Sequence, residues 1–79
     1  MKIKNHINLE QLQTYGYEYR EHIAYPTYTK VRTFGSQIII IEIVIQTRKI
    51  YINKSAYINQ KNRKFIEDLI QDNLVEKEK

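Results

Sequence analysis

The side chains best suited to acid–base chemistry in this 79-residue chain are two histidines and one isolated carboxylate. His6 lies near the N-terminus, and His22 lies in an extended segment before Pro26. Glu42 sits inside a predicted strand, where we expect Lys30 and Ile40 as its neighbours. Acid–base catalysis needs titratable groups that converge in a cleft. We therefore predict an ion-paired strand residue at Glu42, and no catalytic residue.

The spacing of the potential ligands does not predict a metal site. Glu18, Glu21 and His22 are close in sequence, but their spacing on a strand is not that of metal ligands. The chain has no cysteine, which excludes disulfides and thiolate metal sites. We expect neither a metal nor a cofactor.

Aromatic and basic residues offer the other chemistry, which is binding. The chain has seven tyrosines, and residues 22–66 carry eight Lys and Arg residues against one carboxylate, an excess of +7. Cations that meet phosphates, beside tyrosines that stack on bases, are typical of nucleic-acid binding. The alternative is that the cations protect a sheet edge from aggregation. The residues of the nucleic-acid hypothesis are Arg20, Lys30, Arg32, Arg48, Lys49, Lys54, Lys61, Arg63 and Lys64.

The element that must position these side chains is the segment Ile38–Ile45, in which all residues except Glu42 are β-branched and apolar. Such side chains favour a strand. Odd positions are uniformly Ile, so the odd face is predicted to be the core. The even face carries Glu42 and is predicted to be apolar but not sealed.

Register decides which neighbouring residues share that even face. A three-residue loop, Gly35-Ser36-Gln37, would place Phe34 opposite Ile38 and Lys30 opposite Glu42. We prefer this register because a shift by one residue would put Lys30 and Arg32 in the core. It predicts an apolar outer face, available as a protein interface, that comprises Tyr28, Phe34, Ile38, Ile40, Val44 and Tyr51.

The following hairpin leaves two registers open. A two-residue loop pairs Ile43 with Ile50, and a four-residue loop pairs Ile45 with Ile50. The longer loop is favoured because Gln46-Thr47 lacks the positive-φ preference of a tight turn.

Helices are predicted at both ends of the sheet. Asn8 is a suitable N-cap and Gly16 a suitable end for a helix over about 8–15. Apolar residues at helical spacing between Phe65 and Leu74 predict a C-terminal helix that Asn73 can close. The predicted fold is a single α+β domain over 1–79 in the order α-β-β-β-α, frayed at 1–6 and 76–79. Both helices pack on the odd face of an antiparallel meander, and a fourth strand at 17–23 is left open.

The length and the hydropathy of the chain indicate how stable the domain is and where in the cell it is located. A chain this short buries a modest core, and oligomerisation would help to stabilise it. The apolar run at 38–45 is too short to span a bilayer, which takes about 20 residues. The first residues lack the apolar stretch of a signal peptide. We expect a cytoplasmic protein that is not bound to a membrane.

Two resemblances accompany these patterns. The head Leu-x-x-Leu-x-x-Tyr-Gly-Tyr, the Ile-rich strands and the ending from Phe65 to Glu76 resemble small proteins encoded on phages and mobile elements of low-GC Gram-positive bacteria. That group has no activity to carry over. The order α-β-β-β-α also resembles HicA-type toxin ribonucleases, and Gly16-Tyr17 precedes His22 as in that family. The Gly-Ser-His signature is absent, and the histidine follows the glycine too soon.

Three functions follow as hypotheses, in order of preference. The first is a non-enzymatic protein-interaction module that forms a homo-oligomer, or binds a host or phage protein, through the outer sheet face or a sheet edge. The second is a small basic nucleic-acid-binding protein. The third is a HicA-like ribonuclease that depends on His22.

Overall fold

The Ile-rich strand lies near the centre of a four-stranded antiparallel sheet. The computed structural model describes residues 1–21 and 24–77. The sheet has the order β2-β3-β4-β5, with β2 at Glu18–Glu21, β3 at Pro26–Phe34, β4 at Gln37–Val44 and β5 at Ile50–Ile52. A second sheet pairs β1 at Lys2–Ile3 with β6 at Val75–Glu76. The predicted α+β class with an antiparallel sheet is confirmed, whereas the order α-β-β-β-α is matched only in part. Of the fourth strand left open at 17–23, residues 18–21 form β2, and residues 22–23 lie outside the described residues.

The register between β3 and β4 differs by one residue from the predicted one. Phe34 pairs with Gln37, so the loop is the two residues Gly35-Ser36. Gly35 has φ +61°, as the first position of a type II′ turn requires. Lys30 consequently faces Ile41 and Arg32 faces Ile39. The predicted pairing of Lys30 with Glu42 is wrong. The preference of Gly35 for the two-residue turn outweighs the cost of placing two cations on the core side.

The second hairpin takes the register of the shorter loop. Ile43 pairs with Ile50 and Ile41 with Ile52, so the favoured pairing of Ile45 with Ile50 is wrong. Arg48 supplies the left-handed residue of the turn, with φ +63°. Its backbone N–H donates to the Val44 carbonyl at 2.7 Å. A non-glycine residue therefore adopts the left-handed conformation in this turn, and the sequence gives no signal that Arg48 would do so.

The helical segments are shorter and tighter than predicted. A 3-10 helix spans Leu9–Tyr15, where the Asn8 side chain accepts from the Glu10 N–H at 3.0 Å. Gly16 closes it in the left-handed region at φ +91°. The C-terminal segment divides into a 3-10 helix at Arg63–Ile66 and an α-helix, α1, at Glu67–Gln71.

The chain ends pair with each other, although the sequence places them in frayed segments. Ile3 is fully buried, and its N–H donates to the Arg48 carbonyl at 2.9 Å. The Arg48 guanidinium donates to the carbonyls of Lys4 and Ile7 at 2.8 and 2.7 Å. These bonds hold β1 against the second hairpin. Residues 78–79 lie outside the described residues.

The hydrophobic core lies on the odd face of β4, as predicted. Both 3-10 helices, α1 and β1 contribute to it, so the helical layer covers this side of the sheet. The buried apolar residues are Ile3, Leu12, Tyr17, Tyr28, Ile39, Ile41, Ile43, Ile50, Ile52, Phe65, Ile66, Leu69 and Leu74.

Candidate binding surfaces

The side of the sheet opposite the core is the first candidate surface, and we call it the outer face. Directly paired residues share a face, so the registers fix its composition. Its described residues are Glu18, Arg20, Thr27, Thr29, Val31, Thr33, Ile38, Ile40, Glu42, Val44 and Tyr51.

Three apolar side chains near the Gly35 turn stand in solvent on the outer face, and we call them the apolar strip. Val31 is 58% exposed, Ile38 59% and Ile40 36%. Val31 pairs directly with Ile40, and Ile38 lies beyond them toward the turn. Contiguous exposed apolar groups of this kind mark interaction sites more often than isolated ones do.

A buried carboxylate occupies the middle of the outer face. Glu42 is 5% exposed, and Lys54 Nζ lies 3.1 Å from its Oε1. Lys54 reaches it because Asn53 and Lys54 both adopt positive φ, at +50° and +69°. The Asn53 side chain also accepts from the Ile40 N–H at 2.9 Å, which fixes this turn beside β4. Lys54, predicted as a phosphate contact, therefore neutralises Glu42.

A cavity of about 340 Å³ opens beside this ion pair. It is lined by Ala24, Tyr25, Glu42, Val44, Gln46, Thr47, Tyr51 and Lys54. Among the residues that the structure describes, no group of three or more His, Cys, Asp or Glu residues is arranged to hold a metal ion. The cavity thus combines two aromatic rings with an already neutralised carboxylate.

The predicted interface residues divide between the two faces. Ile38, Ile40, Val44 and Tyr51 lie on the outer face. Tyr28 and Phe34 do not, and their assignment to the outer face is wrong.

Both displaced aromatic residues pack on the core side. Tyr28 is 6% exposed and meets Tyr19 edge-to-face at 6.0 Å between ring centroids. The Phe34 ring lies 4.9 Å from that of Phe65. The one-residue change of register accounts for both positions.

Two strand cations of the nucleic-acid hypothesis lie at the rim of the core. Lys30 Nζ lies 3.5 Å from Asp68 and 5.5 Å from the centre of the Tyr17 ring. Arg32 donates to the Phe65 carbonyl at 3.1 Å and stacks over Phe34 at 4.8 Å. Long basic side chains can cover apolar surface while their charged ends stay at the boundary. These two cations stabilise the protomer.

Two further cations of that hypothesis also have partners within the chain. Arg48 anchors β1, as described above, and Arg20 pairs with Glu18 at 2.9 Å on the outer face. The pair of Arg20 and Glu18 is well exposed and contributes little to stability. Of the cations of this hypothesis, Arg20, Lys30 and Lys54 are therefore paired with carboxylates. Arg32 and Arg48 donate to backbone carbonyls.

Two of the remaining basic residues, Lys61 and Arg63, line a second surface, which we call the basic groove. Lys49 lies outside it, in an isolated β-bridge with Lys2. A cavity of about 810 Å³ lies between the loop after β5 and the C-terminal end, and its lining is Met1, Ala56, Tyr57, Ile58, Asn59, Gln60, Lys61, Arg63 and Lys77. Lys61 and Arg63 belonged to the sequence hypothesis, whereas Tyr57 and Lys77 did not. Lys64, which follows Arg63 in the chain, lines an adjacent cavity with Gln60 and Glu67.

Side-chain hydrogen bonds shape the loop that forms the basic groove. The Asn59 Oδ1 accepts from the backbone N–H groups of Lys61 and Asn62 at 2.8 and 3.0 Å. The Ser55 Oγ accepts from the Tyr57 N–H at 3.2 Å. Such turns built by Asn and Ser explain how a segment without hydrophobic periodicity takes a defined path.

Two tyrosines near the first 3-10 helix have altered acidities. Burial raises the pKa of Tyr17 strongly, with a further increase from Asp68 and an opposing effect of Arg32. Its hydroxyl is buried and has no hydrogen-bond partner among the described residues. Tyr15 donates to Asp72, and this bond raises the pKa of Tyr15. Both groups stay protonated at neutral pH and offer no base.

The histidine hypothesis is not addressed by the described part of the chain. His22 lies outside the described residues, and His6 is exposed near β1. No helix among the described residues is long and apolar enough to span a membrane.

Comparisons of the chain found no matching family model, no match among curated proteins and no match among solved structures. The resemblance to proteins of phages and mobile elements stays a prediction.

Proposed function

We propose that this chain is a non-enzymatic protein-interaction module whose outer face pairs with the outer face of a second copy. The observation that carries the proposal is the apolar strip, in which Val31, Ile38 and Ile40 form one exposed surface on a small domain. Covering such a strip removes apolar area from water and contributes about 25 cal/mol per Å².

Charge supports a second copy as the occupant. The chain carries a net charge of +4, so two copies repel each other at most orientations. On the outer face, however, Glu18 pairs with Arg20 and Glu42 pairs with Lys54. These four charges are therefore already paired within each copy when two outer faces meet. In other orientations, the positive charges of the two copies repel each other.

The edges of the sheet support the proposal less well than its face. At the β5 edge, the Ile50 N–H donates to the Met1 carbonyl at 3.1 Å, so the N-terminal segment covers it. The β2 edge is four residues long and carries Glu18, Arg20 and Glu21. Short charged edge strands resist pairing with another chain.

The size of the outer face sets the expected affinity. The longest of its four strands, β3, has nine residues, so the face covers at most about 19 by 30 Å, or roughly 570 Å². Stable interfaces bury about 800 Å² on each partner. We therefore expect a reversible dimer that forms at micromolar concentration.

Sedimentation velocity over a range of micromolar concentrations tests the proposal. Ile40→Lys places a charge in the centre of the apolar strip and should give a monomer at concentrations where the unaltered chain is dimeric. Gln13→Lys adds the same charge on the exposed side of the first 3-10 helix and should leave the dimer unchanged. Circular dichroism verifies that both variants are folded.

Two results would contradict the proposal. One is an unaltered chain that remains monomeric at the highest concentration. The other is a folded Ile40→Lys variant that dimerises as well as the Gln13→Lys control does.

A further inference from the structure

We infer that the basic groove is a binding site for single-stranded nucleic acid, independent of the outer face. The groove combines an exposed aromatic ring, three cations and the side-chain amides of Asn59 and Gln60. Proteins that bind single strands use this combination, because cations contact the backbone while bases stack on aromatic rings.

The cations of the groove differ from Lys30 and Lys54 in having no carboxylate partner in the part of the chain that the structure describes. Among the described residues, no carboxylate lies within ion-pair distance of Lys61, Arg63 or Lys77. Lys30 and Lys54, by contrast, are paired with Asp68 and Glu42. Lys61, Arg63 and Lys77 therefore offer their positive charge to a ligand in the groove.

Tyr57 has a position that packing within the protomer does not explain. It is 73% exposed, the highest exposure among the large hydrophobic residues of the described chain. Its backbone is nevertheless held on both sides, because its N–H donates to Ser55 and its carbonyl accepts from Asn62 at 3.3 Å. A ring on a fixed backbone is suited to stacking, since little mobility is lost on binding.

The dimensions and the chemistry of the groove favour a single strand over a duplex. About 810 Å³ of space falls within the range of sites that enclose a small ligand, such as one or two nucleotides. Stacking on Tyr57 requires a base whose face is exposed, and in a duplex the base faces are covered by their neighbours.

Fluorescence anisotropy with a dye-labelled oligothymidylate, measured at several salt concentrations, tests the inference. Three cations on a single strand predict a slope of about −2 for log K against log salt. Tyr57→Ala should weaken binding by about 5-fold to about 150-fold, the value of one stacked base, and should leave this slope unchanged. Lys61→Gln and Arg63→Gln should each make the slope shallower by about 0.7.

Arg20→Gln is the matched control, because it removes the same charge from an exposed pair outside the groove. It should leave the slope unchanged. A duplex of the same length should bind more weakly, and polyglutamate of equal charge should compete poorly.

Three results would overturn the inference. The first is no binding to oligothymidylate at low salt. The second is a Tyr57→Ala variant with unaltered affinity. The third is polyglutamate that competes as well as the oligonucleotide, which would indicate a general attraction for polyanions. The oligomeric state of the Tyr57→Ala variant, measured in parallel, separates this result from any failure of dimerisation.

Discussion

The two faces of the sheet use the same residue types in opposite ways. On β4, Ile39, Ile41 and Ile43 are at most 2% exposed, whereas Ile38 and Ile40 on the reverse side are 59% and 36% exposed. Isoleucine stands at all five positions, so side-chain hydrophobicity does not explain the difference. The helical layer covers one face, and we propose that a second copy covers the other.

Charged residues reverse the expected pattern as well. Lys30 and Arg32 lie on the core side, whereas Glu42 is buried on the outer face. A basic side chain on the core side reaches the rim of a narrow sheet and can find a partner there. Glu42 has a short side chain, and the turn after β5 brings Lys54 to it as an ion-pair partner. In a sheet this small, polarity alone does not identify the core face.

The largest expected effect compares one isoleucine from each face. Ile41 is fully buried, so Ile41→Ala should lower the free energy of unfolding by about 2–5 kcal/mol. Ile38→Ala on the outer face should lower it by less than about 1 kcal/mol, mainly through strand propensity. Urea denaturation of the monomeric form measures both values. Equal losses would show that the outer face is packed as tightly as the core.

The next effect concerns the turn that assigns residues to the faces. Gly35 has φ +61° and nothing within 4 Å of the position of an added Cβ. Gly35→Ala should therefore cost about 1–2 kcal/mol through backbone strain alone. Ser36→Ala is the control and should lie within about 0.5 kcal/mol of the unaltered chain. A neutral Gly35→Ala variant would argue for a different turn, and with it a different register.

An increase in stability is expected for Tyr17→Phe on the core side. The buried Tyr17 hydroxyl has no partner among the described residues, and removing it should raise the free energy of unfolding by about 1 kcal/mol at neutral pH. Thermal denaturation and urea titration measure this change. A destabilised variant would indicate that the hydroxyl makes a favourable contact.

The same residue links the core face to alkaline stability. Burial raises the pKa of Tyr17 above its ordinary value of 10.0, so above pH 10 the unfolded chain releases a proton that the folded chain retains. Stability is then fully present below pH 10 and falls at higher pH, by about 1.4 kcal/mol per pH unit for one such group. Tyr17→Phe should make this decline shallower, and an unchanged decline would contradict the assignment.

The smallest effects compare one ion pair from each face. Lys30 and Asp68 are partly exposed, with side-chain exposures of 21% and 38%, so Lys30→Met should cost no more than about 1 kcal/mol. Arg20→Met on the outer face should cost less than about 0.5 kcal/mol. Added salt should reduce the first difference in urea denaturation. A larger loss for Arg20 than for Lys30 would reverse the comparison.

Local patterns predicted the elements better than they predicted their pairing. Asn8 and Gly16 act at the two ends of the first helical segment, because their side chain and backbone preferences operate within a few residues. The register between β3 and β4 depends on the turn, and a shift of one residue reversed the faces of Tyr28 and Phe34. The observed register places Lys30 and Arg32 on the core side, and the exclusion of cations from a core had predicted against it.

The candidate surfaces were predicted unevenly for a related reason. Ile38, Ile40 and Val44 share the outer face because alternation along one strand fixes their side. Tyr57 and Lys77 were not expected near Lys61 and Arg63, since the loop and the C-terminal strand that bring them together have no periodic pattern.

The sequence by itself determined that residues 38–44 form a strand with its odd face in the core, because side-chain alternation on a pleated backbone needs no knowledge of distant residues. Tertiary structure decided which residues pair with that strand. It also decided where the Lys and Arg side chains of the domain lie and which of them remain available to a ligand. These outcomes depend on one turn at Gly35, on positive φ angles at Arg48, Asn53 and Lys54, and on the pairing of the chain ends. Contacts between residues far apart in the chain select these backbone paths, and a local pattern does not report such contacts.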